Sequence, residues 1–392
     1  MGYSENLLPK FLAKLGADVH VVTSTAQVYF NQSIYKRSYE KSLGPAIVET
    51  GIKKIDGYTL HRLPLWETGK WSMPGITGLK EYLVKLDPDI IQTFENATAT
   101  TMEAAEYAKE YNRPLFTECH IHASVLYKKN RWGFRRKRLT QLIGNMISRK
   151  LKLENDVIER CYAIAPDAAE IAHDFYRIPK HKIVTQSLGV DTDMFHPLHT
   201  EDDNKKIQEI RNRLGFSPND IVCVYSGRLN GGKNPHCLAR AIDRLQELGK
   251  PYRGLFIGEG DNTYVDLIRS CRGCIVHPFV KVSQLPELYR ASNIGVWPRE
   301  ESTSQLDAMS CGLPIVVSDQ VKAKERVEGN GLTYRENDPE DLADTLLRLK
   351  DPEIRKAMGQ IGAERVSARF SWTSIAKKRL EDYSVALKKL NR

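Results

Sequence analysis

A chain of 392 residues is longer than one hydrophobic core organises and implies two domains of roughly 200 residues each. Its composition, 41% hydrophobic and 27% charged, is that of an ordinary water-soluble protein, and no apolar run reaches the ~18 residues of a membrane span. The net charge of +9 argues against an acidic, solvating chain and favours anionic partners: phosphates, acidic glycans, lipid head groups or nucleic acid.

The opening "MGYSENLLPKFLAKLG" has no apolar signal core, and Asn6 breaks the myristoylation pattern, so the expected location is cytoplasmic. Residues 5–15 read as a helix closed by Gly16. No strand stands ahead of it, whereas a doubly wound domain starts with its central strand. The first sheet is therefore expected either to lack that strand or to be built around its absence. Strands follow at "DVHVVTS" (18–24), "DIIQTF" (89–94), "PLFTE" (114–118) and "YAIAP" (162–166), with a helix at "TTMEAAEYAKEYN".

Between the last two of these strands lies a basic amphipathic segment, 128–152. Leu139, Leu142, Ile143, Met146, Ile147 and Leu151 share one helical face, flanked by Arg135, Arg136, Lys137, Arg138, Arg149 and Lys150. The apolar face is assigned to the domain's own core. The cations are assigned to an anionic membrane or acidic-glycan surface, which would make the protein peripheral on the inner face of the membrane. Nucleic acid is not expected as a partner, because these cations lack interleaved stacking aromatics.

The charged stretch 199–220 reads as structureless and places the domain boundary near residue 200. Beyond it, "IVCVYS" (221–226) is a strand and "GRLNGGKN" a glycine-rich turn, with Asn234 as N-cap and Pro235 at the first helical position. Leu238, Ile242, Leu245 and Leu248 recur at helical spacing up to Gly249. Further strands are expected at 253–260, 274–280, 294–298 and 315–319, and a long amphipathic helix at 374–390. Seven scattered cysteines include a single C-x-x-C, Cys271 and Cys274, with no second pair to complete a zinc site. They read as small hydrophobes in a reducing cytosol.

Two stretches carry chemistry. Arg228 and Lys233 lie in a turn between a strand and a helix N-terminus, where backbone N–H groups and the helix dipole attract phosphate. An Arg fork and a Lys point charge there would clamp a diphosphate from two sides, or be two solvated cations; the spacing does not choose between these. Three strands on, "VWPREESTSQLDAMSCGLPIVVSD" puts a polar, acidic turn at the carboxyl end of a buried strand, where ligands bind in open α/β sheets. Its hydroxyls suit phosphate and its carboxylates suit sugar or ribose hydroxyls. Alternatively, Ser304-Gln305-Leu306-Asp307 is a capping box that needs no ligand.

"LGVDTDMFHP", "YSGRLNGGKN", "LFIGEGD", "LDAMSCGLPIVVSD" and "GNGLTYRENDPEDLADTLLRL", in this order and spacing, resemble the retaining nucleotide-sugar glycosyltransferases of family four. The likeness runs over essentially the whole chain, to "FSW" before the last helix. It implies a GT-B fold: two Rossmann-like α/β domains facing across a cleft, 1–200 on the acceptor side and 201–373 holding the donor. Helix 374–392 would cross back to the N-terminal domain. By position, Arg228 and Lys233 match the pair that neutralises the donor diphosphate, and Asp307 the second acid of an E-x7-E motif. The chain departs from that motif, because eight residues before Asp307 stands Arg299; Glu301 or Glu300 is the counterpart of the first acid. Ser302, Thr303 and Ser304 replace the usual G-F-G, and Gly227, Gly258 and Val280 complete the donor-binding set. "RPLFTECHIHAS" matches the strand ending in a His near the transferred sugar, making His120 a catalytic candidate with His122 behind it. No metal or cofactor is implied beyond a UDP- or GDP-sugar donor; Asp191-Thr192-Asp193 and Asp87-Pro88-Asp89 belong to connecting segments.

The expected activity is a metal-independent hexosyl transfer, with retention, to a glycan or lipid-linked acceptor. The rivals are an inactive GT-B binding subunit and a sugar epimerase on the same fold.

Overall fold

The computed structural model describes residues 4–32, 35–36, 40–67, 74–121, 152–198, 200–299 and 302–390. The chain divides into two compact units, one spanning 4–188 together with 376–392, the other 189–375. The division falls at Leu188/Gly189, ahead of the residue 200 expected from composition, and again inside the last helix.

In the N-terminal unit the strands are β1 (His20–Ser24), β2 (Gly51–Ile55), β3 (Tyr58–Leu63), β4 (Leu65–Trp66), β5 (Gly75–Ile76), β6 (Ile91–Thr93), β7 (Leu115–Cys119), β8 (Ile158–Ala163) and β9 (Ile183–Thr185). Its helices are α1 (Ser4–Lys14), α2 (Glu40–Leu43), α3 (Leu79–Leu86), α4 (Ala99–Glu110), α5 (Lys152–Val157) and α6 (Pro166–Asp174). The parallel strands do not make one sheet among the described residues. β1-β3-β2 form one piece and β6-β7-β8-β9 a second, all-parallel piece, with β4-β5 a separate small pair. Val22 of β1 and Leu63 of β3 nevertheless pack on the same apolar core as Leu115 and Cys161 of the second sheet.

Two local features escaped the sequence. "KKIDGYT" is a hairpin joining β2 to β3, with Asp56 at φ 47° and Gly57 at φ 90°. Positive φ at both central positions is what a tight Asp-Gly hairpin requires. The fourth expected strand, 162–166, instead spans Ile158–Ala163, because Pro166 starts α6 at its first turn, where its missing N–H costs nothing.

The C-terminal unit contains β10 (Ile221–Ser226), β11 (Tyr252–Ile257), β12 (Cys274–His277), β13 (Ile294–Trp297), β14 (Ile315–Ser318) and β15 (Gly331–Tyr334). They form one sheet in the order β12-β11-β10-β13-β14-β15, every pairing parallel. The helices are α7 (Glu201–Arg213), α8 (Pro235–Glu247), α9 (Asn262–Arg269), α10 (Leu285–Arg290), α11 (Thr303–Ser310), α12 (Pro339–Leu347) and α13 (Pro352–Arg365). α7 corrects the expectation of a structureless 199–220. Thr200 and Asp203 form a capping box, and Ile207, Ile210 and Leu214 pack on the core behind the charged face. Its Arg211 is buried and donates to the carbonyls of Ala291, Ser217 and Asp220. High charge hid a single apolar stripe.

Near the second division, the Val190 N–H donates to Phe370 (2.7 Å) and the Trp372 N–H to Val190 (3.0 Å). A Cβ on Gly189 would stand 2.8 Å from the Trp372 and Ile375 side chains, so the approach needs glycine. The last helix, α14 (Trp372–Leu390), then joins the N-terminal unit through Arg379, Asp382 and Tyr383. Among the described residues no helix is long and apolar enough to cross a membrane.

Candidate functional site

Counted from its own first strand, the C-terminal sheet runs 3-2-1-4-5-6. Connections reverse direction between β10 and β13, which opens a crevice at the carboxyl ends of those two strands. The two stretches singled out above emerge there, one from each strand.

The turn after β10 is built by backbone contact. Gly227 donates to the Ile257 carbonyl and Leu229 to that of Glu259, both at 3.0 Å, zipping it to the turn after β11. A Cβ on Gly258 would stand 2.1 Å from the Gly227 oxygen, and one on Gly260 1.8 Å from the Leu229 oxygen. Leu229 is fully buried beneath the turn, while the Tyr225 hydroxyl donates to the Arg228 carbonyl (2.9 Å). The backbone is thus fixed from below. Above it the Arg228 side chain is exposed, with no hydrogen bond or ion pair among the described residues. Lys233 is half-buried, its N–H held by the Asn230 side chain (3.1 Å). Asn234 does not cap α8 as expected. It sits at φ 54°, ψ 41° and spends its side-chain amide on Asn337 (2.8 Å), so the helix N-terminus has no side-chain acceptor.

The turn after β13 packs against this one. Trp297 Nε1 donates to the Ser226 carbonyl (3.2 Å), and Arg299 reaches the Gly231 carbonyl (3.4 Å) while pairing with Glu336 (3.4 Å). The position where a first motif acid was sought is therefore a strut between two turns. Ser302, not Ser304, is the N-cap of α11: its hydroxyl accepts from the Ser304 N–H (3.3 Å). The capping-box alternative is corrected, and Ser304 and Asp307 stand one turn apart inside the helix. Thr303 is exposed; Gly258 is buried; Gly227 is exposed; Val280 is half-buried against the unit's core. Glu300, Glu301, His122 and most of the basic segment lie outside the described residues.

Sequence reasoning missed Tyr289. From the fully buried end of α10 its hydroxyl bonds Ser226 (2.6 Å) and also engages the Ser304 side chain, tying the end of β10 to the first turn of α11. It also missed Arg326, buried, which donates to the Ser302 carbonyl (3.2 Å) and Gln305 (3.3 Å). Neither carried a signal, because an isolated Tyr or Arg in a helical pattern has no spacing to betray it.

Asp307 is partly exposed, yet the apolar surroundings of α11 push its carboxyl up to about 7. A folded-state pKa above the unfolded value means the folded chain binds the extra proton. Stability should therefore fall as pH rises from about 4 to about 7 and level off beyond. Asp307→Asn should flatten that slope and raise stability at pH 8, by on the order of 1–2 kcal/mol, and the melting temperature with it. Melting curves at pH 5 and pH 8 for both proteins check this; parallel curves would contradict it.

In the N-terminal unit His120 follows β7, one residue beyond its carboxyl end. Its Nε2 is 2.7 Å from Glu118 Oε2, and its N–H donates to Glu95 Oε1 (3.2 Å). Glu118 is 2% exposed, and its other oxygen accepts from Arg379 and Gln92, both at 3.0 Å. Desolvation, opposed by the charge of His120, pushes Glu95 up to about 7. Thr93 Oγ1, Glu95 Oε2, Asn96 Oδ1 and Thr117 Oγ1 are buried without a hydrogen-bond partner at this end of the sheet. Among the described residues no three His, Cys, Asp or Glu side chains gather to hold a metal, and Asp191 accepts from the Asp193 N–H (3.2 Å) within a turn.

Two family models match the chain, one over each unit. Residues 8–194 match the family described as Glycosyltransferase Family 4, and residues 220–351 that described as Glycosyl transferases group 1. The chain is similar to spore coat protein SA of Bacillus subtilis, 27% identical over 228 residues, or 53% of this chain and 60% of that one. It is 28% identical over 253 residues to D-inositol 3-phosphate glycosyltransferase of Xylanimonas cellulosilytica, 60% of each chain. The chain thus spans about 60% of the length of these relatives. The crystal structure of Anabaena HepE in complex with UDP superposes with a TM-score of 0.65 at 16% identity, covering 98% of both chains.

Proposed function

We propose that this chain, which has the two domains of a GT-B glycosyltransferase, moves a hexose from a nucleoside diphosphate sugar to a glycan or lipid-linked acceptor with retention of anomeric configuration. The observation that carries the reading is the pairing of a glycine-zipped, cation-bearing turn with the N-terminus of α11 at the reversal point of the C-terminal sheet.

Breaking the bond between the anomeric carbon and the diphosphate leaves negative charge on the departing oxygen and builds oxocarbenium character in the sugar. Arg228 and Lys233 supply the counter-charge, and at the uncapped N-terminus of α8, where Pro235 has no N–H and that of Cys237 donates to the Asn234 carbonyl, the His236 N–H is the backbone donor. Because the backbone of the turn that carries them is fixed before substrate arrives, only the side chains need to settle on the diphosphate. With two cations present, the leaving group is stabilised without calling on a metal ion. Asp307, carrying a proton it readily gives up, accepts from ribose hydroxyls, while Ser302, Thr303 and Ser304 face the phosphates. His120, just beyond β7 in the N-terminal unit, is the residue we assign to the transferred sugar. HepE was crystallised with UDP, which makes uridine the first base to test.

Thermal shift against UDP-, GDP- and ADP-sugars should single out one donor. At 100 times its Kd a donor stabilises the folded state by about 2.7 kcal/mol. NMR of the product's anomeric proton then reads retention. A chain that binds a donor and neither hydrolyses nor transfers it would be the inactive binding subunit; one that alters the sugar without acceptor would be an epimerase.

A further inference from the structure

His120 is not a lone ring at the end of a strand. Glu118, two residues earlier and within β7, bonds its Nε2 at 2.7 Å. The second Glu118 oxygen is held at 3.0 Å by Arg379 of α14. Arg379 is itself buried at 3% exposure, its guanidinium lying over the face of Tyr162. The Tyr162 hydroxyl donates to Asp382 (2.8 Å), which also pairs with Arg160 (3.0 Å), and Tyr383 bonds Gln92, the other donor to Glu118. Side chains from little more than one turn of the last helix thus reach this carboxylate, Arg379 directly and Tyr383 through Gln92. Such a buried ion pair is costly to desolvate and is retained where it fixes a geometry.

Resting on the reading of His120 given above, we infer that Glu118 is a positioning residue: anchored by Arg379, it accepts the Nε2 proton of His120 and thereby leaves Nδ1 free to meet substrate. The last helix then serves the acceptor-side site directly, through a single carboxylate, as a ligand's partner orients a ring in other histidine sites.

The groups that face the ring are Glu118 on β7, Glu95 after β6, Glu5 on α1 and, behind Glu118, Arg379 on α14. Burial alone would lower the His120 pKa, but the Glu118 bond and the three acids outweigh it and raise it above the ordinary value.

The test is the titration of the His120 imidazole nitrogens by NMR in the full-length, substrate-free protein, assigned with His120→Gln. The wild-type ring should titrate above 6.5 and, when neutral, carry its proton on Nε2. Glu118→Gln should lower the midpoint by at least one unit, a tenfold loss in proton affinity. Arg379→Met, which removes a cation behind the carboxylate, should raise it. A purely structural disturbance would move both variants the same way, toward the free-histidine value, and would overturn the inference, as would an unmoved midpoint in Glu118→Gln. If Glu118→Gln does not fold, Glu118→Asp withdraws the same charge from Nε2 and should lower the midpoint likewise. Because no substrate is present, failure of the transferase reading leaves this result interpretable. Conversely, wild-type titration in Glu118→Gln with transfer intact would refute the positioning role and spare the function.

Discussion

Alanine at Arg228, or at Lys233, lowers kcat for sugar transfer by about 10²–10³-fold, the effect of deleting one preorganised electrostatic donor from a transition state. Arg228 is the cleaner of the two. Its side chain is exposed and makes no hydrogen bond or ion pair among the described residues, so truncation orphans nothing. The turn that carries it is fixed by the Tyr225 hydroxyl and the buried Leu229, neither of which the substitution touches. Stability should therefore change by less than about 0.5 kcal/mol. Because charge on the leaving diphosphate grows toward the transition state, the loss should fall on kcat more than on KM. Steady-state kinetics of the two variants beside their melting curves makes the measurement. Wild-type turnover in both would remove the clamp from the mechanism.

Gly260→Ala should be the most damaging small substitution in the C-terminal unit. The added methyl would stand 1.8 Å from the Leu229 carbonyl oxygen, inside any tolerable contact, and the atom it meets is backbone rather than the end of a flexible side chain. Relief requires the turn after β10 to separate from the turn after β11, breaking the Leu229 to Glu259 bond at 3.0 Å. The cost of such overpacking is about 3 kcal/mol, or roughly 6–12 °C in the melting temperature of a unit this size. Arg228 would move with the turn, so donor-induced thermal stabilisation should vanish as well. Gly249→Ala is the control: unlike Gly260 it has positive φ, 65°, but its added methyl would meet nothing within 4 Å, and it should lose far less. Equal losses at both positions would mean that the close approach at Gly260 costs no more than left-handed strain alone at Gly249, which would overturn the ranking.

The C-terminal unit was legible because each of its strands is a short apolar run bounded by turn residues. "IVCVYS" became β10 residue for residue, and Pro235 and Gly249 bracket α8 as their backbone restrictions demand. The N-terminal unit was less so. Its hairpin at Asp56-Gly57 joins a mostly exposed β2 to a half-buried β3, and its parallel strands fall into two sheets. The helix over 201–213 was hidden by charge, since one stripe of three apolar residues suffices to bury a helix against an existing core.

What the sequence determined by itself is chemistry: which turn carries Arg228 and Lys233, which helix carries Ser304 and Asp307, and which strand ends at His120. These follow from local rules that act over a few residues. Tertiary structure alone decided who stands beside whom. Arg299 became a strut to Glu336 and Gly231, Tyr289 joined a serine at the end of β10 to one in α11, and Arg379 reached Glu118 from the far end of the chain. Such partners are set by sheet order and by the path of the last helix, and their separations in sequence, 261 residues for Arg379 and Glu118, leave no periodicity to read. Burial then does what no residue type specifies: it pushes the Asp307 and Glu95 carboxyls up to about 7, because a charge costs more where water is excluded.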